Sequence, residues 1–351
     1  YKTEHVPLNL CYIRNSFTQN IKDKSLRQSA IYQTLGSDLI YLFSLEHGWS
    51  AFDAAGKHIE NARENHTGLP IYSLYGPAFK KNLAIFETLD VVIIDIQDVG
   101  VRCYTHAAVC AKVFDYASSH VPSLNFIICD RPNPLGSKVN KPFFKSELKS
   151  LVSYIDVPFQ HGKTVGELLN DHNHSLNQPV SLEIIPHQED FDFTQHLWVP
   201  ISPGLPALNS VLLYPGLVLL EGTNVSEGRG STLPFQCVAA PELDSQKIIN
   251  VLNNIPNSGI MACPFSFTPE TGELAHQPCR GAQIHVVNPE QVNGLWLGLH
   301  LLQALIQHYP RFEWTLYKEK YWIDQLTGST HLRESFNKGV SCEKILSDLD
   351  Y

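Results

Sequence analysis

Over its first two-thirds the chain alternates short apolar runs with stretches of helical periodicity, the pattern of a parallel α/β sheet. LNLCYI (8–13) reads as a strand. Residues 24–35 then put Leu26, Ala30, Ile31 and Leu35 on one helical face, with Gly36 as the stop. LIYLFS (39–44) is a second strand, AFKKNLAIFETL a helix, and VVIIDI (91–96) a third strand apolar enough to be central. A helix over 105–119 leads to a fourth strand, NFIICD (125–130). Thr164 and Glu167 have the spacing of a capping box opening the helix VGELLNDHN, and LEIIP (182–186) follows as a strand. Residues 207–220 read as a helix that Pro215 kinks or breaks.

After Phe235 the pattern changes. A helix (244–254), strands near 260–267 and 282–287, and a long helix (289–308) follow; Val292, Leu295, Trp296, Leu299 and Leu302 share one face of the last. The expected organisation is an α/β domain over 1–235 and a smaller C-terminal α+β domain over 236–351.

Composition changes this picture little. The 351 residues are 43% hydrophobic and 17% charged, enough for ordinary cores in two domains. A net charge of -9 leaves no electrostatic footprint for nucleic acid. The longest apolar runs, SVLLYPGLVLL and LWLGLHLLQALI, fall short of the ~18–20 residues of a membrane span. The chain starts at Tyr1 and not at Met, so an extracytoplasmic place after loss of a leader is expected, with the cytoplasm left open. Eight cysteines are scattered with no C-x-x-C pair. Cys11, Cys110 and Cys129 sit in apolar segments as small hydrophobes; Cys237, Cys263, Cys279 and Cys342 leave room for a disulfide.

The polar residues that matter follow the strands. Glu46 and His47 come after the second, and Gln97, Asp98, Arg102, Tyr104 and His106 after the third. Asp130, Arg131 and Asn133 come after the fourth, and His161 precedes the capped helix. An open parallel sheet binds ligands outside the carboxyl ends of its strands, so these residues are expected on one edge. Singly each has a bland reading: Asp130 and Arg131 as an ion pair, His161 as a helix cap. Jointly they point to a polar ligand site. RNSFTQN, not G-x-G-x-x-G, follows the first strand, and neither G-x-x-x-x-G-K-[ST] nor G-x-S-x-G occurs. His47, Asp98, His106 and His161 lack a metal-ligand spacing, and Arg102 and Arg131 nearby would repel a cation, so neither metal nor cofactor is expected. What remains suits a sugar: amides and carboxylates for hydroxyls, aromatic faces for the ring, and a carboxyl pair for glycosidic cleavage.

The stretch LLEGTNVSEGRGSTLPF (219–235) fits the same chemistry, with Glu221, Asn224, Glu227 and Arg229 among glycines that let backbone approach a ligand. The alternative is that Glu221 and Arg229 pair to close a turn, with Glu227 exposed to water.

In order along the chain, EHG, TGLPIYSLYGP, DIQDVGVRCYT, DRPNPLG, HGKTVGEL, WVPISPGLP, LLYPGLVLLEGTNVSEGRGSTLPF and CRGAQIHV resemble the motifs of the NamZ-type exo-β-N-acetylmuramidases. The likeness runs from about residue 8 to the C-terminus and is strongest over 46–235. It implies a Rossmann-like, mostly parallel sheet with helices on both faces, a smaller C-terminal domain, and an active cleft between the two. It also implies release of N-acetylmuramic acid from the non-reducing end of peptidoglycan fragments. The chain departs from the family pattern at Trp49-Ser50-Ala51, at Cys103 and His106, and at Gly204-Leu205. A shifted substrate preference, or a glycan-binding protein that has lost turnover, is the alternative those departures raise.

On that resemblance Glu46 and Glu227 are expected to be the two catalytic carboxyl groups, the more desolvated one being the acid. Asp98, Asp130, Asn133 and Asn224 would hold hydroxyls and the N-acetyl group, with His47, Gln97, His161 and Glu221 also at the substrate. Arg102, Arg131 or Arg229 would take the lactyl carboxylate, and Trp49 or Tyr104 would stack on the ring. The resemblance is compatible with retaining, inverting and substrate-assisted routes alike.

Overall fold

The computed structural model of the chain describes residues 9–14, 39–65, 67–141, 146–187, 193 and 198–349. The helix expected over 24–35 lies outside the described residues. The described residues divide between two compact units.

The first unit takes the described residues up to Val99, then Tyr104–Gly136, then those from Lys163 to Pro203. Its strands are β1 (Leu10–Arg14), β2 (Leu39–Ser44), β3 (Ala62–Arg63), β4 (Pro70–Ser73), β5 (Val91–Asp95), β6 (Asn125–Cys129) and β7 (Ser181–Ile185). They form one sheet in the order β3-β4-β2-β1-β5-β6-β7, parallel except where β3 runs against β4. The sequence pattern misses β3 and β4, which are too short to display a period of two. β1 lies between β2 and β5, so Arg14 sits in register beside both Ser44 and Asp95. The strand order reverses there, which makes the carboxyl end of β1 the switch point of the sheet.

Connecting helices are α1 (Pro77–Asn82), which continues as a 3-10 turn through Thr88, α2 (Thr105–His120) and α3 (Val165–His174). The capping box forms as expected. Thr164 Oγ1 accepts from the Glu167 amide at 3.2 Å, and the Thr164 amide donates to Glu167 Oε2 at 2.9 Å. Apolar side chains of the central strands, among them Cys11, Ile13, Val92, Ile94 and Ile128, are completely buried. Phe43 stacks on Phe86 with centroids 4.7 Å apart.

The second unit is built from Gly100–Cys103, Ser137–Gly162 and the described residues from Gly204 onward. Here α4 (Leu208–Leu217) runs straight into a 3-10 turn (Val218–Gly222), with Pro215 inside the helix. α5 (Ser245–Asn253) and α6 (Gly294–His308) accompany a three-stranded antiparallel sheet of β8 (Cys237–Ala240), β10 (Cys279–Val286) and β9 (Ile260–Phe267), in that order. The pattern change after Phe235 is therefore not where this unit begins: α4 already belongs to it. The reason is a helix crossing made by glycines. A Cβ on Gly298 would come within 2.4 Å of Gly216 Cα, and one on Gly216 within 2.0 Å of the Gly294 carbonyl oxygen. Only hydrogen at these positions lets α4 and α6 approach so closely, a constraint that hydrophobic periodicity does not display. All eight cysteines are free thiols, so no disulfide forms in the last third of the chain.

Candidate active site

At the carboxyl edge of the first unit, Glu46 stands just beyond β2. Its Oε1 accepts from the Gly56 amide at 3.0 Å and the Tyr75 hydroxyl at 2.9 Å, and its Oε2 from the Thr105 hydroxyl at 2.6 Å. Burial pulls this carboxyl upward. The Thr105 and Gly56 hydrogen bonds and the positive charge available on His47 and His106 outweigh burial, so the pKa falls below the ordinary carboxylate value. The turn carrying it is strained: His47 has φ 71° and Ala51 φ 60°, with Gly48 between them at φ 74°. His47 Nδ1 lies 2.7 Å from the Asp53 carbonyl oxygen, which fixes the ring. His106 Nε2 lies 3.2 Å from the Glu46 carbonyl oxygen. Burial first, and the neighbouring His47 second, push its pKa down to about 4, so the ring is neutral at pH 7.

The remaining edge residues hold one another. Arg131 binds Asp95 through both Nε and Nη2, and Tyr12 donates its hydroxyl to the other oxygen of Asp95. Asp130 accepts from the Gly166 amide at 2.8 Å, the Thr164 hydroxyl at 2.7 Å and the Arg131 amide at 2.9 Å, placing its charge at the N-terminus of α3. Gly166 permits this, because a Cβ there would lie 2.7 Å from the carboxyl carbon. Gln97 ties two loops by donating to the Asp98 and Pro132 carbonyls at 2.8 and 3.0 Å. Asn133 accepts from the Leu135 amide at 2.9 Å and donates to the Lys163 carbonyl at 3.1 Å. Asp98 is buried nearby and interacts electrostatically with His106, whose ring the Tyr104 ring meets edge-on at 4.6 Å. Glu46, Asp98 and Asp130 thus share one sheet edge as expected, whereas His161 and Arg102 belong to the second unit.

Arg102 is buried and donates to two backbone carbonyls, Val157 at 2.7 Å and Thr327. Burial lowers its pKa to about 10. Its guanidinium works as a chain cross-link, a different job from the carboxylate recognition expected of it. Asn224 is likewise a tether: its amide donates to the Arg311 carbonyl at 2.6 Å and accepts from the Glu313 amide at 3.0 Å.

The glycine-rich loop gathers Glu221, Glu227 and Arg229 into one cluster. Arg229 reaches Glu221 Oε1 through Nη2 at 2.8 Å and Nε at 3.2 Å, and its Nε lies 3.1 Å from Glu227 Oε1. The turn-closing ion pair anticipated as an alternative exists, but Glu227 is buried, not exposed to water. Burial, with Glu221 adding to it, overrides the pull of Arg229 and raises the Glu227 carboxyl to about 7. Gly228 at φ 95° and Gly230 at φ 78° allow the tight course of the loop.

The sequence reading missed Tyr12, Arg14 and Asp95. The signal is in the sequence: LCYIR and VVIID each end an apolar strand on a charged residue, and the run LNLCYI stops one residue short of Arg14. Arg14 is buried, with its guanidinium 4.0 Å from the centre of the Trp49 ring. Trp49, expected to face a sugar, therefore has one contact on Arg14 and another, edge-on at 6.4 Å, with Tyr12.

Elsewhere in the second unit, the ligand atoms of His300, Cys342 and Glu343 lie within 4.8 Å of one another. Burial is the main cause that pushes the Cys342 thiol up to about 12.

Two family models match the chain: exo-beta-N-acetylmuramidase NamZ, N-terminal, over residues 13–209, and its C-terminal counterpart over 212–350. The chain is 31% identical over 335 residues to the peptidoglycan beta-N-acetylmuramidase NamZ of Bacillus subtilis (strain 168), covering 93% of this chain and 80% of that protein. It is also similar to crystal structures of two DUF1343 family proteins from Bacteroides fragilis NCTC 9343. One has a TM-score of 0.81 at 26% identity, covering 96% of this chain and 88% of the other. The second has a TM-score of 0.68 at 25% identity, covering 97% and 89%.

Proposed function

This chain belongs to the exo-β-N-acetylmuramidase NamZ family, and on that premise we propose how its own carboxyl groups carry the reaction. The protein is an exo-acting glycoside hydrolase that releases N-acetylmuramic acid from the non-reducing end of peptidoglycan fragments. Glu227 is the general acid. It gives its proton to the glycosidic oxygen while the electrons of the breaking C–O bond leave with that oxygen; water supplies the oxygen that ends on the anomeric carbon and the proton that restores the acid. Glu46 acts as the carboxylate that stays ionised. The observation that carries the acid role is that Glu227 is buried beside Arg229 and Glu221 and raised to about 7, so that it holds a proton near neutral pH. Glu46, in its own surroundings, is lowered.

Asp95, Asp98, Asp130 and the arginines of the sheet edge bring fixed charge to where an open parallel sheet takes its ligands. The substrate is a cell-wall fragment, and we place the activity outside the cytoplasm; activity confined to the cytoplasmic fraction of the source cells would refute that placement.

The test is hydrolysis of a chromogenic N-acetylmuramic acid glycoside beside its N-acetylglucosamine analogue. The muramic substrate should be preferred by tenfold or more, about 1.4 kcal/mol, as the family's reaction releases N-acetylmuramic acid. Equal rates would refute this specificity. Glu227→Gln should lower kcat by at least ~10²-fold, the usual contribution of a positioned acid. Near-normal turnover in the folded variant would take Glu227 out of the mechanism.

A further inference from the structure

The cluster on the glycine-rich loop contains one more carboxylate than acid catalysis needs. We propose that Glu221 is a positioning residue for the reaction: it holds the Arg229 guanidinium by two hydrogen bonds and so keeps it from neutralising Glu227, which retains the proton it delivers. This rests on the reading of Glu227 as the acid.

The geometry is asymmetric. Two nitrogens of Arg229 converge on Glu221 Oε1, at 2.8 and 3.2 Å, whereas Glu227 meets only Nε, at 3.1 Å. Both bonds end on one oxygen of Glu221, and Nε is shared with Glu227, so Nη2 is the donor that Glu221 takes and Glu227 does not. The guanidinium is also confined. Its carbon lies 4.8 Å from the centre of the Phe235 ring, and a Cβ at Gly204 would come within 2.8 Å of Nη1. Phe235 is anchored in turn by its amide, which donates to the Glu227 carbonyl at 2.7 Å. Phe235 and the backbone at Gly204 thus flank the guanidinium, and its polar partners are the two carboxylates of the loop. Gly204 belongs to the SPGLP segment, one of the places where the chain departs from the family pattern, and its lack of a side chain is what admits the guanidinium edge.

The other titratable groups facing the cluster are Cys103, Tyr214 and Cys237. Burial raises all three, the thiols to about 12, so each is neutral at pH 7. The electrostatic balance on Glu227 is set by burial, Arg229 and Glu221. Glu221 acts on it twice, as a like charge and as the competitor for the guanidinium.

The experiment is the pH dependence of kcat/KM for the full-length enzyme and its variants on the chromogenic muramic glycoside. An acid must be protonated, so activity fails above its pKa and forms an alkaline limb. In Glu221→Gln the guanidinium falls to Glu227 alone, and the limb should move down by roughly one pH unit, the lower end of what one nearby charge produces. Glu221→Asp keeps the charge and should restore the limb; a side chain that merely props the loop would not give this split. Arg229→Gln should move the limb upward, and it decides the matter if Glu221→Gln does not fold. An unmoved limb in Glu221→Gln, or one that does not rise in Arg229→Gln, overturns the proposal. Glu227→Gln separates the two readings. If it is inactive at every pH while Glu221→Gln leaves the limb in place, the acid stands and the role of Glu221 falls. If it turns over normally, both fall.

Discussion

Glu46 and Glu227 have the same side chain, and the protein treats them oppositely. Around Glu46 every neighbour is a donor: a hydroxyl at 2.6 Å, a phenol at 2.9 Å and an amide at 3.0 Å, with two imidazoles close by. Around Glu227 there are the Arg229 Nε at 3.1 Å, shared with a second carboxylate, and its own backbone amide, with otherwise buried surface. Burial opposes charge at both sites. The hydrogen bonds from Thr105 and Gly56, with His47 and His106, overcome it at the first, and one divided ion pair fails to at the second. The number of donors and how they are shared decides ionisation, not residue type or depth alone.

The sharpest way to break this contrast is Glu46→Gln, which removes the ionised member. We expect kcat/KM on the muramic glycoside to fall by ~10²-fold or more, as for loss of a positioned catalytic group. A variant within threefold of wild type would leave Glu227 as the sole catalytic carboxyl and end the comparison.

Glu227 makes a prediction about stability whose sign follows from its raised pKa. Its unfolded value is the ordinary 4.5 and its folded value about 7, so the folded state binds the proton more tightly. The stabilisation is fully present below the unfolded value and is lost as pH rises through the folded one. Urea unfolding should therefore show wild type losing on the order of 2 kcal/mol between pH 5 and pH 8 from this group, a loss that Glu227→Gln lacks. Identical pH profiles for the two proteins would mean that Glu227 ionises normally.

Thr105→Val has a smaller effect and the opposite sign. The folded pKa of Glu46 is depressed, so its stabilisation is present above the unfolded value and lost as pH falls through the folded one. Removing the Thr105 donor should cost about 1 kcal/mol at pH 7 and much less at pH 3, and should raise the acid limb of kcat/KM. An acid limb that stays in place would show that Thr105 does not set the charge of Glu46. Tyr75→Phe removes one of two donors to the other oxygen and should shift the same limb in the same direction by only a few tenths of a pH unit. A shift as large as that of Thr105→Val would mean the two oxygens are equivalent, against the geometry.

Much of this protein was determined by local chemistry that a sequence displays. LIYLFS, VVIIDI and NFIICD are strands because unbroken β-branched and aromatic runs of that length are stable only when buried on both faces of a parallel sheet. Thr164 and Glu167 cap α3 because the reciprocal bonds depend only on a three-residue spacing. Candidate charges at strand ends could be named for the same reason: parallel strands bring their carboxyl ends to one edge whatever the loops do. Tertiary structure decided which of those charges are engaged and with what. Arg102 meets carbonyls far along the chain, at Val157 and Thr327, Arg131 meets Asp95, and Asn224 meets the backbone at 311 and 313. No spacing in the sequence encodes such partners. The second unit recruits α4 through backbone contact at Gly216 and Gly298, where the informative property is the absence of a side chain. The ionisation of Glu46 and Glu227 belongs to the same class. A pKa is a sum over distances of a few ångströms, and those distances exist only once segments remote in sequence have been packed together.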